Sequence, residues 1–527
     1  MINKSRRFVW WSLMITVPAG LSLYAVAVLF GNVNQDEGWY LYAAQRVADG
    51  AMPYRDFFFT QGPVMPYVYG ALERFWAPMG VLGGRLITVL FGLLSCIATA
   101  FLARCTVSRD RAFATTVMGA ALACCNVYHV YFTTIPKTYA LASCLIMIGY
   151  VLLSIGARGH TKYPTWALVA SSMASGFLIA LAAGTRLSMG MLLPITAVAM
   201  MVTWRQTGKT WLWFSIGGML GLALVYLPAI LLAPEEFIFA QTFHAARGGR
   251  DLFFIVGSIS RIVRFYLPVA MLASALIIFQ VFRGKHAVRS KTRPGLNDWP
   301  FIWCIAFLGV FIVQLLSPYP YDDYQVPVMG LLIAAVVGWV MQIIPEGLCG
   351  RVCLFVTVLS LGASFGSTLP QEWLMARQDR FWAVKKTQPD ILKLRAVAAE
   401  HFSKEQGLLL TQDIYLAVQA GRKVPEGLEM GPFCYFPGLS DAEATKYHVL
   451  NKSLMLELLE HAPCSMAAVS GYGFAVRSPV MDEVPAEDQK LFRETLLRNY
   501  TLTKTIEAFG QNSTTLEIYS RKSSPLF

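Results

Sequence analysis

Residues 32–70 read NVNQDEGWYLYAAQRVADGAMPYRDFFFTQGPVMPYVYG and follow directly on an apolar segment at 8–30. Asn34 precedes a stretch in which apolar residues recur with helical spacing. Glu37 stands three positions after Asn34, and this spacing is typical of a capped helix N-terminus. Gly50 ends that stretch, and several prolines interrupt the rest of the loop. The segment therefore predicts two short amphipathic helices that lie at a membrane surface.

The composition of the whole chain is that of a polytopic α-helical membrane protein. Of 527 residues, 55% are hydrophobic and 14% are charged, whereas soluble domains carry about 25% charged residues. This excludes a large soluble enzyme, a disordered chain and a disulfide-stapled secreted module. Eleven segments approach the roughly 20 apolar residues that a spanning helix needs. They are 8–30, 83–103, 112–130, 138–156, 166–183, 187–204, 211–232, 265–282, 300–316, 325–344 and 352–369.

The charge distribution divides the chain into two parts. Residues 370–527 hold 18 Lys/Arg and 19 Asp/Glu, whereas residues 1–369 hold 26 Lys/Arg and 13 Asp/Glu. Helical and strand patterns alternate in the second part, which predicts a small soluble α/β domain. We therefore expect a transmembrane catalytic domain at 1–369 and a C-terminal soluble domain at 370–527.

The basic residues also predict an orientation, because Lys and Arg are retained on the cytoplasmic side. With the N-terminus inside, the inner loops hold 16 Lys/Arg, against 10 in the longer outer loops. An odd number of spans then places the C-terminal domain outside, which is the periplasm if the membrane is a bacterial inner membrane. The large loops 31–82 and 233–264 fall on the same outer side, and long loops are usually functional.

Asp36 and Glu37 form a pair of adjacent carboxylates just beyond the first predicted span. One interpretation is helix capping alone, since the N–H groups and the macrodipole of a helix N-terminus attract carboxylates. The other is catalytic, with Asp36 as a base that takes a proton from a hydroxyl substrate. The two interpretations are compatible, because a helix N-terminus stabilises the ionised form.

The first loop carries a characteristic series of residues after the span. The series is Asp36, Glu37, Tyr40, Gly50, Pro53, Tyr54, Asp56 and Pro63. It resembles the first-loop signature of superfamily C (GT-C) glycosyltransferases, among them protein O-mannosyltransferases and lipid A aminoarabinose transferases. The resemblance implies a sugar donor on a polyprenyl phosphate and a first-loop acid as general base, a role that falls on Asp36 with Glu37 as its neighbour. It specifies neither a particular hexose or pentose nor the acceptor.

Transfer of a sugar from a lipid phosphate is a displacement at the anomeric carbon, and on the superfamily model a single displacement inverts its configuration. Positive groups stabilise the phosphate as it leaves. Arginine binds phosphate through two parallel hydrogen bonds, and a glycine pair allows close backbone approach. The outer-side candidates for phosphate binding are Lys137, Arg186, Arg247, Arg250, Tyr321 and Tyr324.

Each phosphate candidate has a plainer interpretation. Arg186 could snorkel to the interface, segment 244–250 could be a solvated loop, and the two tyrosines could be interfacial anchors. Beside those tyrosines, Asp322 and Asp323 could pair with an arginine, although superfamily C proteins commonly have a basic residue there.

Trp39, Tyr40, Tyr54 and Asp56 are the candidates for binding the sugar or the acceptor, because aromatic rings stack on sugars and carboxylates accept their hydroxyl protons. An aromatic belt at the membrane interface is the alternative for Trp39, Tyr40 and Tyr42.

The remaining signals limit cofactors and partners. The sequence has no ATP-binding P-loop, dinucleotide fingerprint or H-E-x-x-H helix, so no nucleotide cofactor is predicted; a divalent metal is left open, without a visible ligand set. The expected partners are a polyprenyl-phosphate-linked sugar, a lipid, glycan or protein acceptor, and membrane lipids. Nucleic acid is not expected, because the net charge of +12 comes from membrane loops. Cys434 and Cys464 could form a disulfide in an oxidising compartment. A lipid-linked sugar flippase without chemistry, or a structural subunit, is the alternative function.

Overall fold

The computed structural model places a largely helical chain. It describes residues 4–158, 165–203, 209–245, 252–284, 298–317, 319–378, 381–384, 389–403, 407–472, 484–511 and 513–522.

Within those ranges, seven helices are long and apolar enough to cross a membrane. They are α1 (Lys4–Phe30), α5 (Val81–Arg104), α8 (Thr138–Arg158), α9 (Thr165–Thr185), α11 (Thr210–Leu232), α16 (Val326–Ile343) and α17 (Glu346–Phe365). The first of these begins on the cytoplasmic side in the predicted topology.

The other predicted spans also coincide with helices, but with shorter or bent ones. They are α6 (Arg109–Cys124), α10 (Leu192–Val202), α15 (Asp298–Leu315) and the pair α13 (Leu252–Phe265) and α14 (Leu267–Gly284). The last two meet at an angle of 91° and can count as one broken span. The predicted polytopic helical fold is therefore confirmed, although length and hydropathy alone select seven or eight of the eleven segments.

The first loop folds into three short helices between α1 and α5. They are α2 (Gln35–Ala48), α3 (Val64–Ala71) and α4 (Glu73–Trp76), whereas the sequence predicted two. The predicted capping box is present: the Asn34 side chain accepts from the first-turn backbone, and the Glu37 carboxylate accepts from the Asn34 N–H at 2.8 Å. Every residue of α2 from Glu37 to Ala44 is buried, and the predicted position of this helix at the membrane surface stays a prediction.

The C-terminal part is a small α/β unit, as its alternating pattern predicted. Its four-stranded sheet has the order β3-β4-β6-β5, with β3 parallel to β4 and the other pairs antiparallel. Two short strands pair separately before it. The strands are β1 (Met375–Gln378), β2 (Phe381–Val384), β3 (Leu409–Thr411), β4 (Met466–Val469), β5 (Tyr500–Phe509) and β6 (Thr514–Arg521).

Helices surround this sheet and connect it to the membrane part. The remaining α-helices in the described ranges are α7 (Val127–Phe132), α12 (Pro234–Ala245), α18 (Thr368–Leu374), α19 (Asp390–His401), α20 (Ile414–Ala420), α21 (Asp441–Lys446), α22 (Lys452–His461) and α23 (Ala486–Asn499). Cys434 and Cys464 are both buried free thiols, so the suggested disulfide is absent.

The C-terminal unit rests directly on α2. A side chain at Gly38 would meet the backbone of α20, with its Cβ 2.7 Å from the carbonyl carbon of Ile414 and closer still to the Tyr415 nitrogen. The Tyr42 hydroxyl accepts a hydrogen bond from the Val424 N–H at 3.0 Å. One hydrophobic core runs through the first loop and the C-terminal unit. The boundary near residue 369 stays a prediction, but the two parts share their packing.

Replacing Gly38 with alanine tests this contact. In an open helix the change would stabilise by about 1 kcal/mol. Here the new methyl group overlaps α20, and overpacking of this kind costs roughly 1–3 kcal/mol. We expect Gly38→Ala to have a lower apparent Tm in detergent. We also expect faster proteolytic cleavage where α2 and α20 are in contact. Gly347 in α17 has no atom within 4 Å of its virtual Cβ, so Gly347→Ala should leave Tm unchanged or higher. An unaltered Tm in Gly38→Ala would contradict the close contact.

Candidate active site

Asp36 lies at the start of α2, where its backbone N–H bonds to the Asn34 side chain at 3.0 Å. One carboxylate oxygen accepts from the Trp39 indole N–H at 3.2 Å, and the other lies 2.9 Å from the Lys137 ammonium. The side chain keeps 20% of its surface exposed. The carboxylate is therefore ordered by two neighbours and still reachable.

Lys137 connects Asp36 to a second carboxylate. It directly precedes α8, and its Nζ lies 3.5 Å from Asp323. Burial alone would lower the pKa of Lys137, but the nearby charges of Asp36 and Asp323 raise it well above its ordinary value. Lys137 is therefore a fixed cation between two acids.

Asp322 and Asp323 form a 3-10 turn that leads into α16. Asp322 accepts from the Tyr128 hydroxyl at 2.6 Å and from Arg261 Nε at 2.9 Å. Asp323 accepts from the Tyr139 hydroxyl at 2.8 Å. The hypothesis that one of these acids pairs with an arginine is correct. Together the two acids bind Arg261 and Lys137, which come from separate parts of the chain.

Arg186 lies between α9 and a 3-10 turn, with its guanidinium between two aromatic rings. Its Cζ is 4.1 Å from the Tyr324 ring centre and 5.1 Å from that of Tyr139, which are cation–π distances. The buried Nε has no hydrogen-bond partner among the described residues, and within them no carboxylate forms an ion pair with Arg186. The contacts with the two rings hold the guanidinium of Arg186 in place, and none of the described carboxylates forms an ion pair with it.

Glu37 has a different environment from its neighbour Asp36. Its carboxylate is fully buried and bonds to Arg85 through two contacts of 2.7 Å. Arg85 also donates to the carbonyl groups of Val28, Gly31 and Asn32. Both Glu37 oxygens are thus engaged in fastening α2 to the ends of α1 and α5, which leaves Asp36 as the reachable acid of the pair.

The sequence analysis did not single out Arg85. The sequence does contain a signal for Arg85, because a charge at the start of an apolar span is unfavourable and needs a partner. The acid that neutralises it lies 48 positions earlier in the chain. Arg261 lies in α13, within the second large loop of the predicted topology, and the structure brings it to Asp322.

Two of the aromatic candidates belong to this cluster. Trp39 and Tyr40 are buried and stack with ring centres 3.7 Å apart. Burial, followed by the charge of Asp36, raises the pKa of Tyr40, while Arg186 and Lys137 act in the opposite direction. Their burial does not fit an exposed aromatic belt. A contact with sugar stays a prediction.

Tyr54 and Asp56 are occupied within their own loop. Tyr54 has a left-handed backbone (φ 73°), and its hydroxyl donates to the Gln61 carbonyl. Asp56 accepts from the Met52 N–H at 2.7 Å and pairs with Arg55. None of the described contacts joins either residue to Asp36, so the structure does not bring these candidates to the cluster.

The remaining candidates differ in how they are placed. Tyr321 is 37% exposed and contacts the rings of Phe254 and Tyr324. Arg247 and Arg250 lie outside the described residues. Among the described residues, no group of three or more His, Cys, Asp or Glu side chains is arranged to hold a metal. A divalent ion therefore stays an open prediction.

The chain thus combines a helical membrane domain, which has a buried helix after its first span, with an α/β unit that rests on that helix. The chain is similar to ArnT from Cupriavidus metallidurans bound to undecaprenyl phosphate, with a TM-score of 0.62, 13% identity and coverage of 97% of this chain and 98% of the other. The apo state of that protein has a TM-score of 0.58 and 16% identity, over 96% of this chain and 97% of the other.

An archaeal structure has the same fold at lower similarity. The oligosaccharyltransferase of Archaeoglobus fulgidus in complex with Zn and sulfate has a TM-score of 0.53 and 11% identity, over 88% of this chain and 68% of that one. No protein-family model matches the chain, and no curated protein matches its sequence. The predicted resemblance to superfamily C is thus confirmed at the level of the fold.

The buried pair of Glu37 and Arg85 predicts a specific stability defect. Glu37→Gln removes one charge and leaves the guanidinium unpaired in a dry site, which costs about 3–5 kcal/mol. We expect poor folding yield and a strongly lowered apparent Tm in detergent. Glu346→Gln is the control, because that acid is 67% exposed and 3.8 Å from Arg111; its Tm should be unchanged. Equal Tm values for both variants would contradict the structural role of Glu37.

Proposed function

We propose that the chain is an inverting glycosyltransferase of the bacterial inner membrane. It transfers a hexosyl or pentosyl group from a polyprenyl-phosphate donor to a hydroxyl acceptor on the outer side. The observation that carries this proposal is the contact between the reachable carboxylate of Asp36 and Lys137, beside the guanidinium of Arg186. The N-terminus is cytoplasmic in this proposal, and the C-terminal unit is periplasmic.

The chemical step uses one carboxylate and a group of cations. Asp36 takes the proton of the acceptor hydroxyl, and the acceptor oxygen attacks the anomeric carbon from the face opposite the phosphate. The bond between that carbon and the phosphate oxygen breaks, and its electron pair stays on the phosphate. The products are the glycosylated acceptor and polyprenyl phosphate, and Asp36 returns its proton to water.

The cations have a role in this step because the charge on the phosphate increases. A sugar phosphodiester carries one negative charge, whereas the released monoester carries about −1.5 to −2 at pH 7. Cations placed in advance around the phosphate stabilise the transition state more than the bound donor. Lys137, Arg186 and Arg261 are the described residues proposed for this role, and Arg247 and Arg250 remain further candidates.

Other residues complete the proposed site. Tyr321 and Tyr324 are proposed to donate hydrogen bonds from their hydroxyl groups to the phosphate. Trp39 and Tyr40 are proposed to flank the sugar. The solved neighbour from Cupriavidus metallidurans supports the donor class, because that protein was captured with undecaprenyl phosphate. A flippase without chemistry would need no base at Asp36, so a single substitution separates the two functions.

Asp36→Asn should abolish transfer while donor binding persists. Loss of a general base costs about 10²–10⁴-fold in rate. The assay tracks radiolabelled sugar from its polyprenyl phosphate into an acceptor-containing membrane extract. Asp49→Asn is the matched control, since Asp49 ends the same helix, is half exposed and pairs with Lys423; it should keep full activity. Turnover near the wild-type rate in Asp36→Asn would overturn the assignment.

Arg186→Gln should weaken donor binding by about 30- to 1,000-fold, which corresponds to roughly 2–4 kcal/mol and lies within the cost of truncating a buried charged contact. Arg186→Lys should recover only part of the affinity, because lysine lacks the planar group that lies between two rings. The measurement is the Kd for radiolabelled polyprenyl phosphate in detergent. Arg104→Gln is the control, since Arg104 lies over the Phe101 ring at the far end of α5. Unchanged affinity in Arg186→Gln would exclude it as a phosphate ligand.

A further inference from the structure

Gln35, the neighbour of Asp36, is held by two side chains of the C-terminal unit. Its backbone N–H donates to Gln511 Oε1 at 2.7 Å. Its side-chain carbonyl accepts from the hydroxyl of Tyr472. The first N–H groups of a helix have no partner within the helix, so Gln511 satisfies a group that would otherwise need water. Two separate contacts therefore fix the first turn of α2 from the same direction.

The first turn of α2 is thus held from both sides. Gln35 bonds to the C-terminal unit, while the next residue, Asp36, bonds to Lys137 of the membrane part. One turn further on, the missing side chain of Gly38 allows α20 to lie against α2. The direction of the Asp36 carboxylate depends on both halves of the protein.

Tyr472 is suited to a donor role at this position. Burial raises the pKa of Tyr472, and the nearby charges of Asp413 and Asp36 raise it further. The hydroxyl therefore keeps its proton and its bond to Gln35 at any physiological pH. Its removal would leave the Gln35 amide without this partner while changing neither the charge nor the shape of the ring.

We propose that Tyr472 and Gln511 are positioning residues for Asp36, acting through Gln35. The base is then correctly placed only while the C-terminal unit is docked on α2. This inference rests on the proposed function, and it gives the C-terminal unit a part in the chemistry without direct contact with the reacting atoms. A displacement of about 1 Å at a reacting group can cost as much as 10²-fold in rate.

The test uses the full chain and removes one contact with Gln35 at a time. Tyr472→Phe should lower kcat about 10-fold, with the donor KM and the polyprenyl phosphate Kd unchanged, and Gln511→Ala should do the same. The control is Tyr500→Phe, which removes a buried hydroxyl that bonds to the Cys464 carbonyl at 3.0 Å inside the same unit. It should keep the wild-type kcat. A merely structural effect would lower Tm and kcat alike in both tyrosine variants, and that result would overturn the proposal.

A double-mutant cycle tests whether Tyr472 acts through the Gln35 side chain. Gln35→Leu should reproduce the loss in kcat, and adding Tyr472→Phe to it should cause no further loss. Additive losses would overturn the proposed route, and Gln35→Leu decides the matter if Tyr472→Phe fails to fold. Failure of the function itself is distinguishable: active Asp36→Asn refutes the base, whereas inactive Asp36→Asn with wild-type kcat in Tyr472→Phe refutes only the positioning role.

Discussion

The buried ion pair between Glu37 and Arg85 is the constraint on which the rest of the site depends. It joins the end of α1, the start of α2 and the start of α5, with every strong acceptor and donor engaged. A buried charge that loses its partner is very unfavourable, so these three elements have little freedom to move apart. Because successive residues of a helix point in different directions, fixing Glu37 inward also directs Asp36 toward Lys137. Glu37 thereby sets the position of Asp36, the acid that we propose as the base.

The cluster around Lys137 is balanced in charge before any substrate binds. Among the described residues it contains the cations Lys137, Arg186 and Arg261 and the acids Asp36, Asp322 and Asp323. In the proposed reaction, an incoming phosphate would compete with Asp322 and Asp323 for Lys137 and Arg261, while the described contacts of Arg186 are with aromatic rings. The described cluster therefore holds as many acids as cations, so the donor proposed above would add a negative charge to a group of zero net charge.

Much of the fold could be predicted because its signals are local. Apolar length identified the spans, the Asn34–Glu37 spacing identified the helix start, and alternating patterns identified the α/β unit. Asp36 was singled out through a short motif, and Lys137 and Arg186 were singled out as basic residues on the predicted outer side. Arg85, Tyr472 and Gln511 were missed, since their roles depend on partners 48, 437 and 476 positions away. The apolar spacing of α2 could not predict its burial. Such a pattern shows which residues share a helix face, but not that the C-terminal unit covers this helix.

The contact between Gln35 and Gln511 has a consequence for biosynthesis. The two residues are 476 positions apart, and at about 5–20 residues per second a ribosome needs roughly 25 to 95 s to cover that distance. Throughout this interval the backbone N–H of Gln35 in the nascent α2 lacks its partner Gln511. The contact that we propose to position Asp36 is consequently formed late, after the segments of all the described membrane helices have been synthesised.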